Sequence, residues 1–303
     1  MKHLKIILLA ALTAACSGDD EDGSPSAKMG VLDTMSGLRL TRAGGNTYVY
    51  GDDGRLLKAG DLLLSYNPNT IISGDGNTKY TVSYNSSGYI SAATESSTTQ
   101  SQYAFSNSDV SYSFSYDGSG RLTTIEDNHK YSVEGRSPRD ITYDEVGTTK
   151  YTLTWNNSLL QRITVVTEDN VTEYLYDTHE IDPRHSGPQK YVTEYHFFYD
   201  DKAMTNYVNK YFQYADFWED VCYVLTPLAY VGLFGKGPAC LPSKIEVRSG
   251  ESSSTYSSKY TYRYTFNSEG AIATDKSSIY SYDHIAVETN DNTGGFPPGV
   301  FNH

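Results

Sequence analysis

The chain is poor in the side chains that usually build a protein core. Leu, Ile, Val and Phe together supply 61 of its 303 residues, about one in five, the level at which a charged chain begins to default to disorder. Its apolar runs fall far short of the ~20 residues that a membrane-crossing helix needs. Basic residues are scarce and scattered, with 24 Lys and Arg against 37 Asp and Glu and a net charge of -13. No Lys/Arg-dense face interleaved with aromatics offsets that charge, so nucleic acid is excluded as a partner. With 3 cysteines and no Cys-x-x-Cys spacing, redox catalysis is excluded as well.

What the chain has instead is tyrosine, 28 residues of it. A buried aromatic removes about 150–250 Å² from water and favours a pleated strand, so Tyr-rich segments order where aliphatic side chains are missing. The expected object is all-β.

The first residues set the compartment. Met1 to Lys5 is a short basic region, Ile6 to Leu12 is apolar, and Thr13, Ala14 and Ala15 are small residues leading to Cys16, which is the layout of an export signal. The segment Leu12-Thr13-Ala14-Ala15-Cys16 resembles a bacterial lipobox, although Thr13 occupies the position where lipoboxes usually carry the large aliphatic. The resemblance implies removal of residues 1–15, a diacylglyceryl group on the Cys16 thiol and three acyl chains in all, enough for stable anchoring. Ser17-Gly18-Asp19-Asp20-Glu21-Asp22 follows. It resembles the acidic stretch behind the acylated cysteine of many Bacteroidetes surface lipoproteins, and physically it is a hydrated, self-repelling tether, here taken as 16–37.

A degenerate repeat fills the rest. Alternating aromatics run into an Asn/Asp and Gly turn and then into a second alternating apolar run. The clearest copy is Tyr112-Ser-Phe114-Ser-Tyr116-Asp117-Gly118-Ser119-Gly120-Arg121-Leu122, with others at Tyr48 to Leu56, Tyr80 to Ile90 and Tyr262 to Ile272. Weaker copies centre on Tyr143-Asp144, Trp155-Asn156, Tyr176-Asp177, Tyr199-Asp200 and Tyr282-Asp283. Period-two alternation reads as strand and the Gly supplies a turn residue with positive φ, so each copy predicts a hairpin. The units resemble the YD repeats of Rhs-like proteins, best kept in Tyr50 to Leu56 and Tyr116 to Leu122. More closely, the chain resembles a family of Bacteroidetes lipoproteins of unknown function built from such repeats. That resemblance implies a broad antiparallel sheet and carries no activity. The expected fold is a large twisted antiparallel meander of hairpins over residues 38–289, flat or curled as a half-barrel, with a Gly/Pro-rich tail at 290–303. Between 211 and 235 the alternation gives way to helical spacing ending before Pro227, predicting a short helical insertion that plugs one end or face of the sheet.

Candidate chemistry is sparse. Cys222 and Cys240 remain after acylation of Cys16, and in an oxidising compartment they form a plausible disulfide, the alternative being two small buried thiols. His179 and His185 lack the spacing of a metal pair and read as a polar loop. Asp52, Asp53, Asp117 and Asp144 read as turn residues rather than calcium ligands. No catalytic constellation, metal site or cofactor is expected. The reading is an outer-membrane lipoprotein facing the cell surface, with a periplasm-facing arrangement as the alternative. Its expected role is that of a non-catalytic binding, adhesive or structural module for a glycan, a peptide or another envelope protein. A periplasmic carrier sheltering a lipid in a half-barrel is the second reading, and a hydrolase with scattered catalytic residues the third. If Cys16 is the anchor, Cys16→Ala abolishes labelling by radioactive palmitate and moves the protein from the membrane pellet to the soluble fraction. Unchanged labelling overturns the assignment.

Overall fold

A computed structural model describes residues 38–52, 54–66, 68–74, 76, 78–136, 141–175, 178–199, 223–251, 254–268, 272–274 and 280–284. The leader, Cys16, the acidic tether, Cys222, the first part of the expected helical insertion and the 290–303 tail lie outside the described residues.

The alternating runs are strands. In chain order they are β1 (Leu38–Ala43), β2 (Asn46–Tyr50), β3 (Leu56–Ala59), β4 (Leu62–Tyr66), β5 (Asn69–Ile72), β6 (Thr78–Tyr84), β7 (Ile90–Gln100), β8 (Ala104–Tyr116) and β9 (Leu122–Gly135). They continue as β10 (Thr142–Asn156), β11 (Leu159–Tyr174), β12 (Gly187–Phe198), β13 (Lys244–Glu251), β14 (Ser254–Thr261), β15 (Thr265–Phe266), β16 (Ile272–Thr274) and β17 (Tyr280–His284). Strands β1 to β14 pair with their sequence neighbours as an antiparallel meander, and β17 returns to pair with β1, giving one open sheet of 15 strands with β14 and β17 at its edges. The all-β meander is therefore as expected.

Chain length shows that this sheet is curled. Laid flat, 15 strands about 4.8 Å apart would put the two edges about 67 Å from each other. The connection from Thr261 to Tyr280 folds back on itself where β15 pairs with β16. Its reach is then only about 40 Å, at roughly 3.5 Å per residue with one hairpin crossing. The edges must approach, and the sheet acquires an inner and an outer face.

Inner-face positions carry the core: Leu56, Ile71, Ile90, Leu122, Ile125, Leu160 and Ile163 are all fully buried. The space above them is filled by the described part of the insertion, a 3-10 helix at Tyr223–Val231 and the turn behind it. Leu225, Leu228, Leu233 and Phe234 are at most 1% exposed, each burial contributing about 1.5–3 kcal/mol. Backbone bonds seat the segment across several strands: Ile90 N donates to Leu233 O at 2.9 Å, Lys236 N to Gly120 O at 2.9 Å and Ala239 N to Ser158 O at 2.9 Å. The insertion plugs the sheet as expected, but most of the helical stripe expected before Pro227 lies outside the described residues, and Pro227 lies inside the 3-10 helix rather than after a helix. A proline forfeits a single N–H bond there, while its ring is buried and its carbonyl accepts the Tyr48 hydroxyl at 3.0 Å.

The repeat has a mechanical meaning. Asp117 Oδ1 accepts from the backbone N–H of Ser119 at 2.9 Å and of Arg121 at 3.0 Å, and Asn85 does the same for Ser87 and Tyr89. Gly88 and Gly120 both sit at φ 80°, which glycine adopts without strain. A register shift falls immediately before the last aromatic at Tyr50, Tyr84, Tyr116 and Trp155. Such bulges re-aim a side chain, and here the ring turns back toward the preceding hairpin. Tyr66 Oη donates to Leu56 O at 2.7 Å, Tyr116 Oη to Ile90 O at 2.7 Å, Trp155 Nε1 to Leu122 O at 2.8 Å and Tyr199 Oη to Leu160 O at 2.8 Å. At three of the four acceptors the preceding residue covers the same ring: Arg55 lies over Tyr66 at 5.6 Å, Arg121 over Trp155 at 5.2 Å, and the Tyr89 ring packs 5.2 Å from Tyr116. Arg-Leu in the repeat is thus a lid and an acceptor for the next aromatic. Burial pushes the Tyr84 phenol up to about 12 and those of Tyr116 and Tyr199 further, so the Tyr116 and Tyr199 hydroxyls remain neutral donors.

Two expected turns are corrected. Tyr143-Asp144 lies within β10, paired with Val133 and Ser132 of β9: Gly147 stands where Gly120 does, but Glu145-Val146 replace the turn residues Gly118-Ser119 and no Arg-Leu pair follows. Tyr282-Asp283 likewise lies within β17, paired with Leu40 and Arg39 of β1.

Removing one staple tests this account. Tyr116→Phe keeps the ring and leaves the Ile90 carbonyl without its phenol donor, at a cost of about 1–2 kcal/mol in urea unfolding. Tyr103→Phe, at an exposed position, leaves the midpoint unchanged.

Candidate functional site

Away from the plug, the inner face of the long strands changes from apolar to polar. The pairing registers place Glu95, Val110, His129, Gly147, Asp169 and Gln189 side by side across β7 to β12. The next row toward the plug contains Asp127 and Thr149, and the next row outward contains Tyr131 and Glu145. Inside this patch His129 is 7% exposed and Asp127 6%.

His129 is held on both nitrogens. Nδ1 is 2.8 Å from Asp127 Oδ1 and Nε2 is 3.0 Å from Asp169 Oδ1, with Glu145 Oε1 3.5 Å from the same Nε2. Tyr131 stacks on the ring, centroids 5.0 Å apart and planes at 25°. Strands β9 and β11 are not neighbours; β10 lies between them. The meeting of His129 with Asp169 depends on Gly147 in that intervening strand, since a Cβ there would stand 2.0 Å from Asp169 Oδ1 and 2.6 Å from His129 Nε2. Here glycine serves to let two side chains meet above its backbone.

The charges do not balance. Asp127, Asp169 and Glu145 face a single imidazole, and among the described residues no Lys or Arg forms an ion pair with any of them. Hydrogen bonding to Asp127 is the main influence raising the His129 pKa above the ordinary histidine value, against the opposing effect of burial. Burial, reinforced by the Asp169 charge, pushes the Glu145 carboxyl up.

Farther out on the same face, toward the β9–β10 and β11–β12 connections, opens a cavity of about 550 Å³ lined by Tyr143, Glu145, Glu173, Arg184, His185 and Gln189 among others. At its rim His185 Nδ1 is 3.3 Å from Asp182 Oδ2 and 3.4 Å from Glu173 Oε1. Arg184 donates to both Asp182 oxygens, at 2.9 and 2.6 Å, and that bonding holds the Asp182 carboxyl well below the usual range. A broad depression of about 740 Å³ runs over Asn128, Lys130, Val146, Thr148, Glu168 and Lys190, opposite in strand parity to His129, and is lined also by His129, Gly147 and Asp169.

The residues singled out in the sequence fall elsewhere. Cys240 is buried, and burial pushes its thiol up; its expected partner Cys222 lies outside the described residues. Asp117 caps a turn, as read, while Asp144 accepts the Tyr174 hydroxyl at 3.0 Å. His179 and His185 are in a polar loop, His179 with φ 55°, but His185 also reaches Glu173 of β11. His129 was missed. Its signal was present: Asp127 and His129 share the strand parity of Ile125, where an apolar residue is expected, and Gly147 interrupts an otherwise unbroken strand.

No family model matches the chain, and no curated protein matches it. Among solved structures it aligns with a porin-like protein from Bacteroides vulgatus ATCC 8482, at 16% identity and a TM-score of 0.46 over 81% of this chain and 97% of that one. It also aligns with a porin-like protein from Bacteroides uniformis ATCC 8492, at 11% identity and a TM-score of 0.24 over 71% and 91%. Neither superposition is close enough to assign a fold family or a function.

The role of Gly147 is directly testable. Gly147→Ala forces the His129 and Asp169 side chains apart and destabilises the protein by about 1–3 kcal/mol. Gly118→Ala, where nothing lies within 4 Å of the added carbon, stays within about 0.5 kcal/mol of the parent. Equal effects of the two changes in chemical denaturation would refute the account.

Proposed function

We propose that this chain is an outer-membrane lipoprotein, tethered through Cys16, whose curled sheet is a non-catalytic binding module for a glycan or a peptide. The observation that carries the reading is the inner-face cavity at the end of the sheet remote from the plug. It combines one aromatic face, Tyr143, with two acids, Glu145 and Glu173, and two bases, Arg184 and His185. Alternating donors and acceptors around a ring suit a polyhydroxylated or amide-bearing ligand, which needs both kinds of partner when it leaves water.

A carrier of an apolar ligand finds less support. The aliphatic half of the inner face is already filled by Leu225, Leu228, Leu233 and Phe234, and the remaining cavity is polar. The leader and the acidic stretch behind Cys16 support export and anchoring; a cell-surface orientation follows from the likeness of that stretch to surface-sorting sequences.

Glycan and peptide arrays probed with the acylation-free mature chain (residues 17–303) test the reading. The expected result is a ligand of micromolar affinity whose binding falls at least tenfold in Tyr143→Ala and in Arg184→Ala, since each removes a partner at the cavity wall, about 1.4 kcal/mol or more. Hits that bind both variants as well as the parent, or arrays with no hit, overturn it.

A further inference from the structure

The patch around His129 has the build of a metal centre. We propose that His129 Nε2, Glu145 and Asp169 bind a divalent first-row transition cation, zinc foremost, with Asp127 orienting the imidazole from behind and Gly147 providing the room.

The geometry carries this. One ligand atom from each of the three residues lies within 4.8 Å of the others, and the separations from Nε2 are 3.0 Å to Asp169 and 3.5 Å to Glu145. Two donors each about 2.0–2.2 Å from one ion stand about 3.0–3.5 Å apart at tetrahedral or octahedral angles. Both separations from Nε2 therefore match adjacent corners of a coordination polyhedron, and the third, between Asp169 and Glu145, is within 4.8 Å. Asp127 on Nδ1 is the carboxylate partner that ligating histidines characteristically have. It fixes the tautomer that leaves Nε2 to the ion and raises its basicity.

Two further observations are independent of that clustering. The position between the ligands is a glycine in mid-strand, and a methyl group there would overlap both Nε2 and the Asp169 oxygen. The glycine leaves the space in which the two ligand atoms meet. In addition, three carboxylates face one imidazole in a largely buried setting without a Lys or Arg ion pair among the described residues, a deficit of positive charge that a dication fills. An oxygen-only cation such as Mg²⁺ is disfavoured by the imidazole, which suits zinc and its neighbours. When the imidazole is protonated, Nε2 gives up its proton to take the ion, so uptake is linked to proton release. The remaining corners of the polyhedron are left to water or to a ligand group. The site stands irrespective of what fills the neighbouring cavity, with which it shares Glu145.

The test uses chelator-stripped mature protein and calorimetric titration with Zn²⁺, Co²⁺ and Mg²⁺. The expected result is one equivalent of Zn²⁺ at about 1 μM or tighter, visible d–d absorption with Co²⁺, proton release that scales with buffer ionisation enthalpy, and negligible Mg²⁺ binding. Asp127→Asn weakens Zn²⁺ binding about 10–100-fold and His129→Gln abolishes it, while His185→Ala, at the second acidic group on the cavity rim, leaves it intact. Absence of saturable Zn²⁺ binding, or loss with His185→Ala and not with His129→Gln, overturns the proposal. Should His129→Gln fail to fold, Mn²⁺ added to the parent keeps it falsifiable. Paramagnetic broadening must then centre on His129, Glu145 and Asp169, and broadening centred on His185 refutes it.

Discussion

The structure depends on one hydrogen bond, repeated. A ring at the end of a hairpin, Tyr66, Tyr116, Trp155 or Tyr199, turns back and donates its N–H or O–H to the carbonyl of an apolar residue at the start of the second strand of the hairpin before it, with a bulge beside the ring at Tyr116 and Trp155. From Tyr84 to Tyr199 the staples link without a break. Ile90 faces Tyr84 across one turn and accepts from Tyr116; Leu122 faces Tyr116 and accepts from Trp155; Leu160 faces Trp155 and accepts from Tyr199. Each such bond contributes only about 1 kcal/mol net. It also places a large ring over the strand junction, where an aliphatic side chain of the same reach does not exist. A chain with few Leu and Ile can thus hold fifteen strands together, because tyrosine provides both the buried area and a polar end that pins the register.

That device explains how much of the fold was legible. The hairpin at Tyr112 to Leu122 is visible in the sequence because its turn chemistry and its period-two alternation are local, and the structure places a bulge, a glycine at positive φ and an acceptor leucine where those letters stand. The copy at Tyr143-Asp144 carries the same two letters and, in Gly147, a glycine at the same spacing, yet it is mid-strand. The turn therefore resides neither in the aromatic-acid pair nor in that glycine alone but also in the residues between them, Gly118-Ser119 in the turn and Glu145-Val146 in the strand. Pro227 misled for a related reason. A proline stop is a local rule, and here tertiary packing outweighed it, through a buried ring and a carbonyl engaged by Tyr48, 179 residues away in sequence.

The polar patch was hidden for a different reason. Asp127 and His129 occupy positions where the alternation calls for apolar groups, so a local anomaly was present, but its meaning rests on Asp169, 40 residues later and two strands over. Nothing in the sequence specifies that β9, β10 and β11 pair so that His129, Gly147 and Asp169 share one row. A shift of β11 by one residue would turn Asp169 to the outer face and bring Asn170 inward. The register that creates the site is fixed elsewhere, by Trp155 and Tyr199 at the plugged end of the same strands.

This division of labour along the strands bears on function. At one end the aromatic staples and the buried insertion hold β7 to β12 rigidly. At the other, the strands extend past the plug with a polar inner face, where the stability they contribute comes from the ladder itself and from cross-strand pairs such as Lys150 with Glu126 and Lys190 with Glu168 on the outside. Exposed pairs of this kind contribute little, about 0–1 kcal/mol. An arm with so little apolar burial has stability to spare for neither an unpaired buried charge nor a misplaced carboxylate. The persistence of three acids around one imidazole in that arm is therefore hard to account for as packing. It is the arrangement expected where binding supplies the missing charge, because a ligand that binds only the folded state returns its affinity as stability to the strands that hold it.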